Sequence, residues 1–131
     1  MHVNMRNFLI GFTAMAFIAS PSLAADVAKG AKVYKKCVSC HMIGDKAKNR
    51  VGPQLNGIIG REIGAVADYK YSKAMVKYAA AEKLWSEENL AAYLESPRKV
   101  VKGGRMAFAG LRKEKDRNDI CLLYTSPSPR D

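Results

Sequence analysis

Residues Cys37-Val38-Ser39-Cys40-His41 are the most informative stretch of this chain. Cys-x-x-Cys-His is the attachment signature of a c-type haem. In that chemistry the two thiols add to the vinyl groups of the porphyrin, and the adjacent histidine ligates the iron. The pentapeptide therefore predicts a covalent cofactor, its two anchors and one axial ligand.

The two cysteines admit other interpretations. In an exported protein Cys37 and Cys40 could form a disulfide, or they could be the redox pair of a thioredoxin-like protein. A thioredoxin-like pair follows a strand in a βαβ unit, whereas residues 28–36 have a helical pattern that leads into the cysteines. A structural zinc site needs four ligands, and only His2 and Cys121 remain as further candidates. Haem attachment is the preferred interpretation.

The first residues have the pattern of an export signal. Arg6 supplies a positive charge, residues 8–19 are largely apolar and uncharged, and residues 21–24 end in small side chains that a signal peptidase accepts. We predict cleavage after Ala24, so that residues 1–24 are a signal peptide. The alternative is an uncleaved membrane anchor, but the apolar run is shorter than the ~20 residues that span a bilayer.

Length and charge limit the class of protein. The chain has 131 residues, enough for one domain, and a formal net charge of +10. So small a domain is marginally stable by itself, and a covalently held porphyrin would give it an apolar body to pack around. A distributed positive charge suits a solvated surface, nucleic acid, an anionic membrane or an acidic protein. No nucleic-acid motif is present, and for an exported haem protein we favour acidic partner surfaces.

Apolar spacing and capping residues predict an all-α fold with about four helices. Asp26 is expected to cap the first helix, which ends at the haem motif, and Ser72 to cap a second over residues 73–80. Ser86 is expected to begin a third, and Ser96-Pro97 to end it. No internal repeat and no alternating strand pattern is present.

The last residues do not continue the pattern before them. A fourth helix is expected to begin near Arg112 and to be cut short at residues 121–131, whose two prolines are incompatible with helix. These residues resemble the conceptual translation of a sequencing-library adapter, so we interpret them as non-native and the domain as residues 25–120. The alternative is a native disordered tail in which Cys121 is an unpaired cysteine.

Two segments are rich in glycine: the one between the haem motif and the second helix, and residues 102–110, which contain Met106. Glycine favours turns over regular structure. Loops this long are uncommon in a compact domain unless something organises them. A buried haem would do so.

Together these segments resemble a bacterial class I cytochrome c of the soluble, mitochondrial-like kind. The resemblance covers residues 26–120. Besides the haem motif, the matching segments are Val51-Gly52-Pro53-Gln54-Leu55-Asn56-Gly57, Gly60-Arg61, Tyr69-Lys70-Tyr71-Ser72, Leu84-Trp85-Ser86-Glu87-Glu88, Tyr93-Leu94-Glu95-Ser96-Pro97 and Gly104-Arg105-Met106-Ala107-Phe108-Ala109-Gly110. The resemblance implies a small cytochrome c fold, with helices and long glycine-rich loops wrapped around one haem c attached through Cys37 and Cys40.

The same resemblance assigns roles to further residues. Met106 is implied as the second axial ligand, opposite His41, and the carbonyl of Pro53 as the acceptor of the second N–H of His41. Tyr93 is implied to lie beside the methionine, and Phe108 to cover the haem face. The residues implied to hydrogen-bond or pair with the haem propionates are Arg61, Tyr71 and Trp85. Without the resemblance, Met106 and the aromatic residues would be interpreted as core packing.

A haem with both axial positions filled has no vacant site for oxygen or peroxide, so the resemblance implies an electron carrier and not an enzyme. It implies a soluble monomer of the periplasm that passes single electrons between respiratory or photosynthetic partners: a cytochrome bc-type complex, a terminal oxidase or a photosynthetic reaction centre. The alternatives are a haem peroxidase and a haem-free thiol–disulfide oxidoreductase that uses Cys37 and Cys40. A peroxidase needs an acid–base residue beside an open iron, and no histidine follows His41.

The surface and the methionine segment yield two further expectations. Lys102 stands where many relatives have proline, and Gly104 replaces a common threonine, so the segment around Met106 should be loose. We therefore expect Met106 to be displaced readily at alkaline pH, with a lysine such as Lys102 in its place. The basic residues expected to surround the exposed haem edge are Lys35, Lys36, Arg98, Lys99, Arg105 and Lys113.

Overall fold

The computed structural model describes residues 26–126. The predicted signal peptide with its cleavage site, and residues 127–131 of the tail, lie outside the described residues. The helices are α1 (Val27–Tyr34), α2 (Lys73–Glu82), α3 (Glu87–Glu95), α4 (Pro97–Val100) and α5 (Glu114–Thr125). Within residues 26–126 the only sheet-like pairing is an isolated antiparallel bridge between Glu62 and Leu84. The all-α prediction is confirmed, and the short α4 adds to the four helices predicted.

The first three helices begin at the predicted capping residues. The side chain of Asp26 accepts two backbone N–H groups of α1, and that of Ser72 accepts one of α2. At α3, the hydroxyl of Ser86 accepts the N–H of Asn89 at 3.0 Å, and the side chain of Asn89 accepts the N–H of Ser86 at 2.9 Å. This reciprocal capping box satisfies two helix-end donors at once.

The end of α3 and the start of α4 depend on one proline. The backbone of Ser96 leaves the helical region, with φ −155° and ψ 85°. Pro97 has no N–H to continue the hydrogen-bond ladder of α3, but it occupies the first turn of α4, where that N–H would have no partner in any case. The predicted stop is therefore also the start of a further turn of helix.

The prediction that the last helix is cut short at residue 120 is wrong. Helix α5 continues through Thr125, and Cys121, Leu123 and Tyr124 are buried beside Ile120. The physical reason is that residues 120, 123 and 124 repeat at helical spacing, whereas the two prolines come only later, at positions 127 and 129. The non-native origin of residues 121–131 stays a prediction.

Helices α1 and α5 cross at very close range. A Cβ atom built on Gly30 of α1 would lie 2.2 Å from the carbonyl oxygen of Asp119 in α5 and 3.1 Å from Cβ of Leu123. Only glycine allows two helix backbones to approach so closely. Asp119 also accepts the backbone N–H of Asp26 at 2.7 Å, which joins the first turn of α1 to α5.

The hydrophobic core connects this helix pair to α3. Its least exposed side chains are Ile120 (0% exposed), Leu90, Leu111 and Leu123 (2% each). Residues 35–72, which join α1 to α2, and residues 101–113, which join α4 to α5, run around this core as two long loops. Within residues 26–126 no helix combines the length and the apolar character needed to cross a membrane.

Candidate functional site

A cavity of about 540 Å³ lies between the two long loops and α3. Its volume is within the range of cofactor and small-molecule sites. Every residue that the sequence analysis placed at the cofactor lines this cavity: Cys37, Cys40, His41, Pro53, Arg61, Tyr71, Trp85, Tyr93, Met106 and Phe108. Residues up to 71 positions apart in the chain are thus brought to one site.

The imidazole of His41 is held in one tautomer. Its Nδ1 lies 2.7 Å from the carbonyl oxygen of Pro53. A carbonyl can only accept, so Nδ1 carries the proton and the lone pair of a neutral ring is on Nε2. Burial lowers the pKa of His41; the hydrogen bond that its ring donates to Pro53 opposes this, and the positive charge of Arg61 lowers the pKa further. The neutral form, which is the metal-ligating form, is favoured.

Gly52 fits against the face of this imidazole. A Cβ atom at position 52 would lie 2.3 Å from Cε1 of His41 and 2.7 Å from each ring nitrogen. The N–H of Gly52 donates to the carbonyl of Cys40 at 2.9 Å, which ties the loop to the Cys-x-x-Cys-His turn. The histidine is therefore packed by backbone on one side.

Met106 lines the same cavity, and its thioether has a specific partner. The hydroxyl of Tyr93 donates to Sδ of Met106 at 3.3 Å. Burial raises the pKa of Tyr93 to about 12, so the hydroxyl remains protonated and can donate throughout the physiological range. A hydrogen bond that holds a ligand atom in orientation is what metal sites use to position their ligands.

Arg61 has a buried nitrogen without a partner. Its Nη1 donates to the backbone carbonyl of Asn56 at 3.0 Å, but Nε is buried and makes no hydrogen bond. Burial lowers the pKa of this guanidinium, against the opposing effect of Tyr71. Leaving a buried charged donor unpaired is costly. A carboxylate in the cavity would satisfy it, so Arg61 fits an acidic cofactor.

Tyr71 and Trp85 lie near this guanidinium. The backbone N–H of Trp85 donates to the carbonyl of Arg61 at 2.9 Å, so the two residues are adjacent. The hydroxyl oxygen of Tyr71 accepts the N–H of Val66 at 3.3 Å and keeps its own hydrogen for another acceptor. Burial raises the pKa of Tyr71. All three residues line the cavity, and each carries a side-chain N–H or O–H donor.

The two thiols of the motif are unbridged in the structure, and both line the cavity. Burial raises the pKa of Cys37, whereas its contact with the hydroxyl of Tyr124 lowers it. Within residues 26–126 no cluster of three or more His, Cys, Asp or Glu side chains could hold a metal ion by itself. Two thiols, a neutral imidazole, a thioether and an unpaired guanidinium together fit a haem c.

Sequence reasoning gave no role at the site to several residues that the structure places in or beside it. Tyr34 donates its hydroxyl to the carbonyl of His41 at 3.0 Å, and Tyr69 donates to the carbonyl of Val51 at 2.7 Å. Lys70 lines the cavity, as does Tyr124 in the segment interpreted as non-native. A buried position on the apolar face of α1 was the signal available for Tyr34. The others come from loops or from a helix that was predicted to end earlier.

The basic residues expected around the cavity mouth are only partly there. Of the six, Lys36 and Arg105 line the cavity. Arg105 also donates from its guanidinium to the carbonyl of Lys70, which connects the segment of Met106 to the segment before α2. The remaining four are exposed and lie outside the lining: Lys35, Arg98, Lys99 and Lys113.

Comparison with known proteins agrees with this site. The family described as "Cytochrome c" matches residues 27–120. The chain belongs to the cytochrome c family. It is 46% identical to cytochrome c2 of Agrobacterium tumefaciens (strain II Chrys) over 105 residues, which are 79% of this chain and 95% of the relative. It is 45% identical to cytochrome c-550 of Ancylobacter novellus over 93 residues, 71% of this chain and 87% of the relative.

The similarity extends beyond bacteria. Cytochrome c of Arabidopsis thaliana is 43% identical over 104 residues, which are 79% of this chain and 90% of the relative. As a member of the cytochrome c family, this protein binds one haem c covalently through cysteines and transfers electrons without transforming a substrate. The peroxidase and thiol-oxidoreductase alternatives are not supported.

Proposed function

We propose that His41 and Met106 are the axial ligands of a single haem c, that Cys37 and Cys40 are its thioether anchors, and that this cytochrome c shuttles single electrons between membrane redox complexes in the periplasm. The observation that carries the proposal is that His41 and Met106, 65 positions apart, line one cavity together with both cysteines. Bound haem supplies an iron that gains or loses one electron. The chain supplies its position, its ligands and its surroundings.

Each proposed ligand is oriented by a hydrogen bond that leaves the ligating atom available. The bond from Nδ1 of His41 to Pro53 directs the lone pair of Nε2 away from that carbonyl. The bond from Tyr93 uses one side of the sulfur of Met106 and leaves its other lone pair. A neutral thioether favours the reduced iron more than a second nitrogen ligand does. This ligand pair therefore supports a carrier of relatively high reduction potential.

The first test is the visible spectrum of the protein, exported in a host that attaches haem, as wild type, Met106→Ala and Met75→Ala. Met75 is the matched control, because it is the other methionine that lines the cavity. We expect the weak far-red ferric band of methionine ligation in wild type and Met75→Ala, and its loss in Met106→Ala. If the band is lost in Met75→Ala and kept in Met106→Ala, the ligand is Met75 and not Met106. A colourless wild-type protein would overturn haem attachment.

A second test concerns the residues proposed to hold the propionates: Arg61, Tyr71 and Trp85. Replacement of Arg61 by Met removes a positive charge that would offset the negative charge of the haem propionates. The propionates would then favour the oxidised iron, which carries one more positive charge. We expect the reduction potential to fall, as measured by spectroelectrochemistry. Arg50→Met is the control, because Arg50 is exposed and its side chain donates to the carbonyl of Val38 at 3.2 Å, outside the cavity lining. Equal shifts in the two variants would contradict the assignment to Arg61.

The proposed partners are a cytochrome bc-type complex and a terminal oxidase or photosynthetic reaction centre, each with an acidic docking surface. The support is the net charge of +10 and the exposed cations of Lys36, Lys70 and Arg105 at the cavity. Attraction between exposed charges is screened by salt. We expect the second-order rate with an acidic partner to fall as salt rises, and Lys36→Glu to slow it more than Lys77→Glu, which lies outside the lining. A rate that does not depend on salt would exclude electrostatic steering.

A further inference from the structure

The dipeptide Asn56-Gly57 lies exposed in the loop that joins α1 to α2. Gly57 has a positive φ of 58°, and apart from its chain neighbours no atom lies within 4 Å of the position that a Cβ would occupy. Its backbone nitrogen is therefore unhindered, and it follows directly after a side-chain amide. The other asparagines of residues 26–126 each precede a larger residue: Asn49, Asn89 and Asn118.

Every polar group of Asn56 has a hydrogen-bond partner. Its side-chain oxygen accepts the N–H of Gly44, and its side-chain nitrogen donates to the carbonyl of Gly44, both at 2.8 Å. Its backbone N–H donates to the side chain of Gln54 at 2.7 Å. Its backbone carbonyl accepts from Arg61 at 3.0 Å. The side-chain amide is thus paired with Gly44, and the peptide group between Asn56 and Gly57 is fixed by Arg61.

We propose that Asn56 is a deamidation site, and that its bonds to Gly44 and Arg61 hold the reaction back in the folded protein. In this reaction the backbone nitrogen of Gly57 attacks Cγ of Asn56, and a cyclic imide forms. The side-chain nitrogen leaves as ammonia and takes the proton that the backbone nitrogen gives up. One water molecule then opens the ring to aspartic or isoaspartic acid. The sum is an exchange of ammonia for water, without an oxidant or a reductant.

The bonds restrain both groups that must react. Rotation of the side chain of Asn56 towards Gly57 breaks its two bonds to Gly44, and rotation of the peptide that carries the attacking nitrogen breaks the bond to Arg61. Gly44 has a φ of 104°, where a side chain would strain the turn that presents its N–H and its carbonyl. Arg61 lines the cofactor cavity. One guanidinium therefore connects this surface site to the cavity.

The product changes the surroundings of Arg61. A carboxylate at position 56 still accepts the N–H of Gly44 but cannot donate to its carbonyl. An isoaspartate adds one carbon atom to the main chain and displaces the carbonyl to which Arg61 donates. The added negative charge favours the oxidised iron, so the deamidated carrier should have a lower reduction potential. This consequence, unlike the site itself, rests on the proposed function of Arg61 at a haem propionate.

The test incubates the haem-loaded protein at mildly alkaline pH in water enriched in heavy oxygen. Peptide mass spectrometry then finds each asparagine that has exchanged its amide for solvent oxygen. In wild type we expect slow labelling, confined to Asn56. Gly57→Ala adds a methyl group next to the attacking nitrogen and should slow this labelling several-fold. Asn49, Asn89 and Asn118 are internal controls in the same sample.

Three further variants test the protection. Gly44→Ala strains the turn that pairs with the side chain, and Arg61→Met removes the donor to the backbone carbonyl, so each should raise the rate at Asn56 several-fold. Gly103→Ala is the matched control, because Gly103 also has a positive φ, 84°, but lies in the other long loop. It should leave the rate at Asn56 as in wild type.

The site is overturned if neither Gly44→Ala nor Arg61→Met labels Asn56 faster than the other three asparagines, or if Gly57→Ala labels it as fast as wild type. Equal acceleration in Gly103→Ala and Gly44→Ala would overturn the specific protection. The far-red band, recorded before incubation, reports the ligation of Met106 separately. Its absence would overturn that ligation and would not alter the labelling at Asn56.

The effect on the reduction potential is measured on Asn56→Asp by spectroelectrochemistry. Asn118→Asp is the control, because it adds the same charge at an exposed position outside the cavity lining. We expect the potential to fall further in Asn56→Asp than in Asn118→Asp. Equal potentials in the two variants would overturn the connection through Arg61.

Discussion

The phenol of Tyr34 donates a hydrogen bond to the backbone carbonyl of His41, with 3.0 Å between the two oxygens. The N–H of His41 donates to the carbonyl of Cys37 at 2.9 Å, and its ring Nδ1 pairs with Pro53 at 2.7 Å. The proposed iron ligand is therefore held at its backbone nitrogen, its backbone oxygen and its ring. These three contacts come from the attachment turn, from α1 and from the following loop.

Replacing Tyr34 by Phe should weaken this hold without changing the packing of the ring on Tyr124. Loss of one buried hydrogen bond costs about 1 kcal/mol of unfolding free energy, and the carbonyl of His41 is left without this donor. We expect a lower urea midpoint and a broadened paramagnetic NMR signal of the His41 ring. Tyr69→Phe removes the more exposed bond to Val51 and should lower stability by less, without the change at His41. If both variants leave the His41 signal unchanged, Tyr34 does not position the ligand.

Replacing Gly52 by Ala should displace the imidazole of His41. The added methyl would lie 2.3 Å from Cε1, and the ring cannot move away without losing its bond to Pro53. Overpacking of this kind costs about 1–3 kcal/mol. We expect a reduced yield of haem-loaded protein and a lower midpoint in urea. Gly104→Ala is a milder control, because its nearest contact is 3.1 Å, to the carbonyl of Val101; equal losses in both variants would contradict the prediction.

Replacing Lys83 by Gly should stabilise the protein. Lys83 follows α2 with φ 65° and ψ −57°, and the N–H of Leu84 donates back to the carbonyl of Glu82 at 2.8 Å. This is a γ-turn in its strained form, which disfavours any side chain. Relief of the strain should raise the unfolding free energy by about 1 kcal/mol, measured by urea denaturation. Lys77→Gly, inside α2, should lower it by about 1 kcal/mol. A loss of stability in Lys83→Gly would show that the turn is unstrained.

The carboxylate of Asp119 should make stability depend on pH in the acid range. The N–H of Asp26 has the largest effect and lowers the pKa of Asp119 below its ordinary value; burial opposes it, and the ammonium of Lys115 at 3.1 Å lowers the pKa further. An unfolded Asp binds its proton near pH ~3.9. The contribution is therefore complete well above that value and is lost as pH falls through it towards the lower folded pKa.

Asp119→Asn tests this dependence, because asparagine does not titrate. We expect the stability advantage of wild type over Asp119→Asn to shrink between about pH 6 and about pH 3, as measured by urea midpoints. Lys115→Met keeps the bond from Asp26 and should reduce the pH dependence only in part. An advantage that stays constant over this range would show that the carboxylate has the same pKa folded and unfolded.

Replacing Lys102 by Ala tests the alkaline displacement of Met106. Lys102 is exposed and precedes Gly103, whose φ of 84° marks a turn. If its amine replaces the thioether, the pH at which the far-red band disappears should rise in Lys102→Ala. Lys99→Ala, in α4, should leave that pH unchanged. The same shift in both variants, or in neither, would assign the displacing group elsewhere.

The sequence was sufficient for the elements that depend on local chemistry. Asp26, Ser72 and Ser86 cap helices where they were expected to, because a capping side chain bonds within three residues of itself. The grouping of the cofactor residues around one cavity came from the family resemblance. Composition alone could not have distinguished Met106 from the other methionines, since a thioether fills core gaps equally well.

Contacts between separate segments of the chain could not be predicted. The bond from Tyr34 to His41 and that from Arg105 to Lys70 have no local pattern, because they depend on how separate segments meet in space. The length of α5 was misjudged for a different reason. The composition changes at residue 121, but helix formation requires only suitable spacing and the absence of proline, and α5 continues to Thr125.

The contact between α1 and α5 also determines the order in which parts of the domain can fold. The N–H of Asp26 and the carboxylate of Asp119 are 93 positions apart, so this contact must wait until nearly the whole domain has emerged, whether from a ribosome or from a membrane pore. Such non-local contacts form slowly. The Cys37–His41 turn appears early, immediately after α1, and during that interval it is on an open chain. An attachment enzyme thus has access to both thiols before the last helix closes over the site.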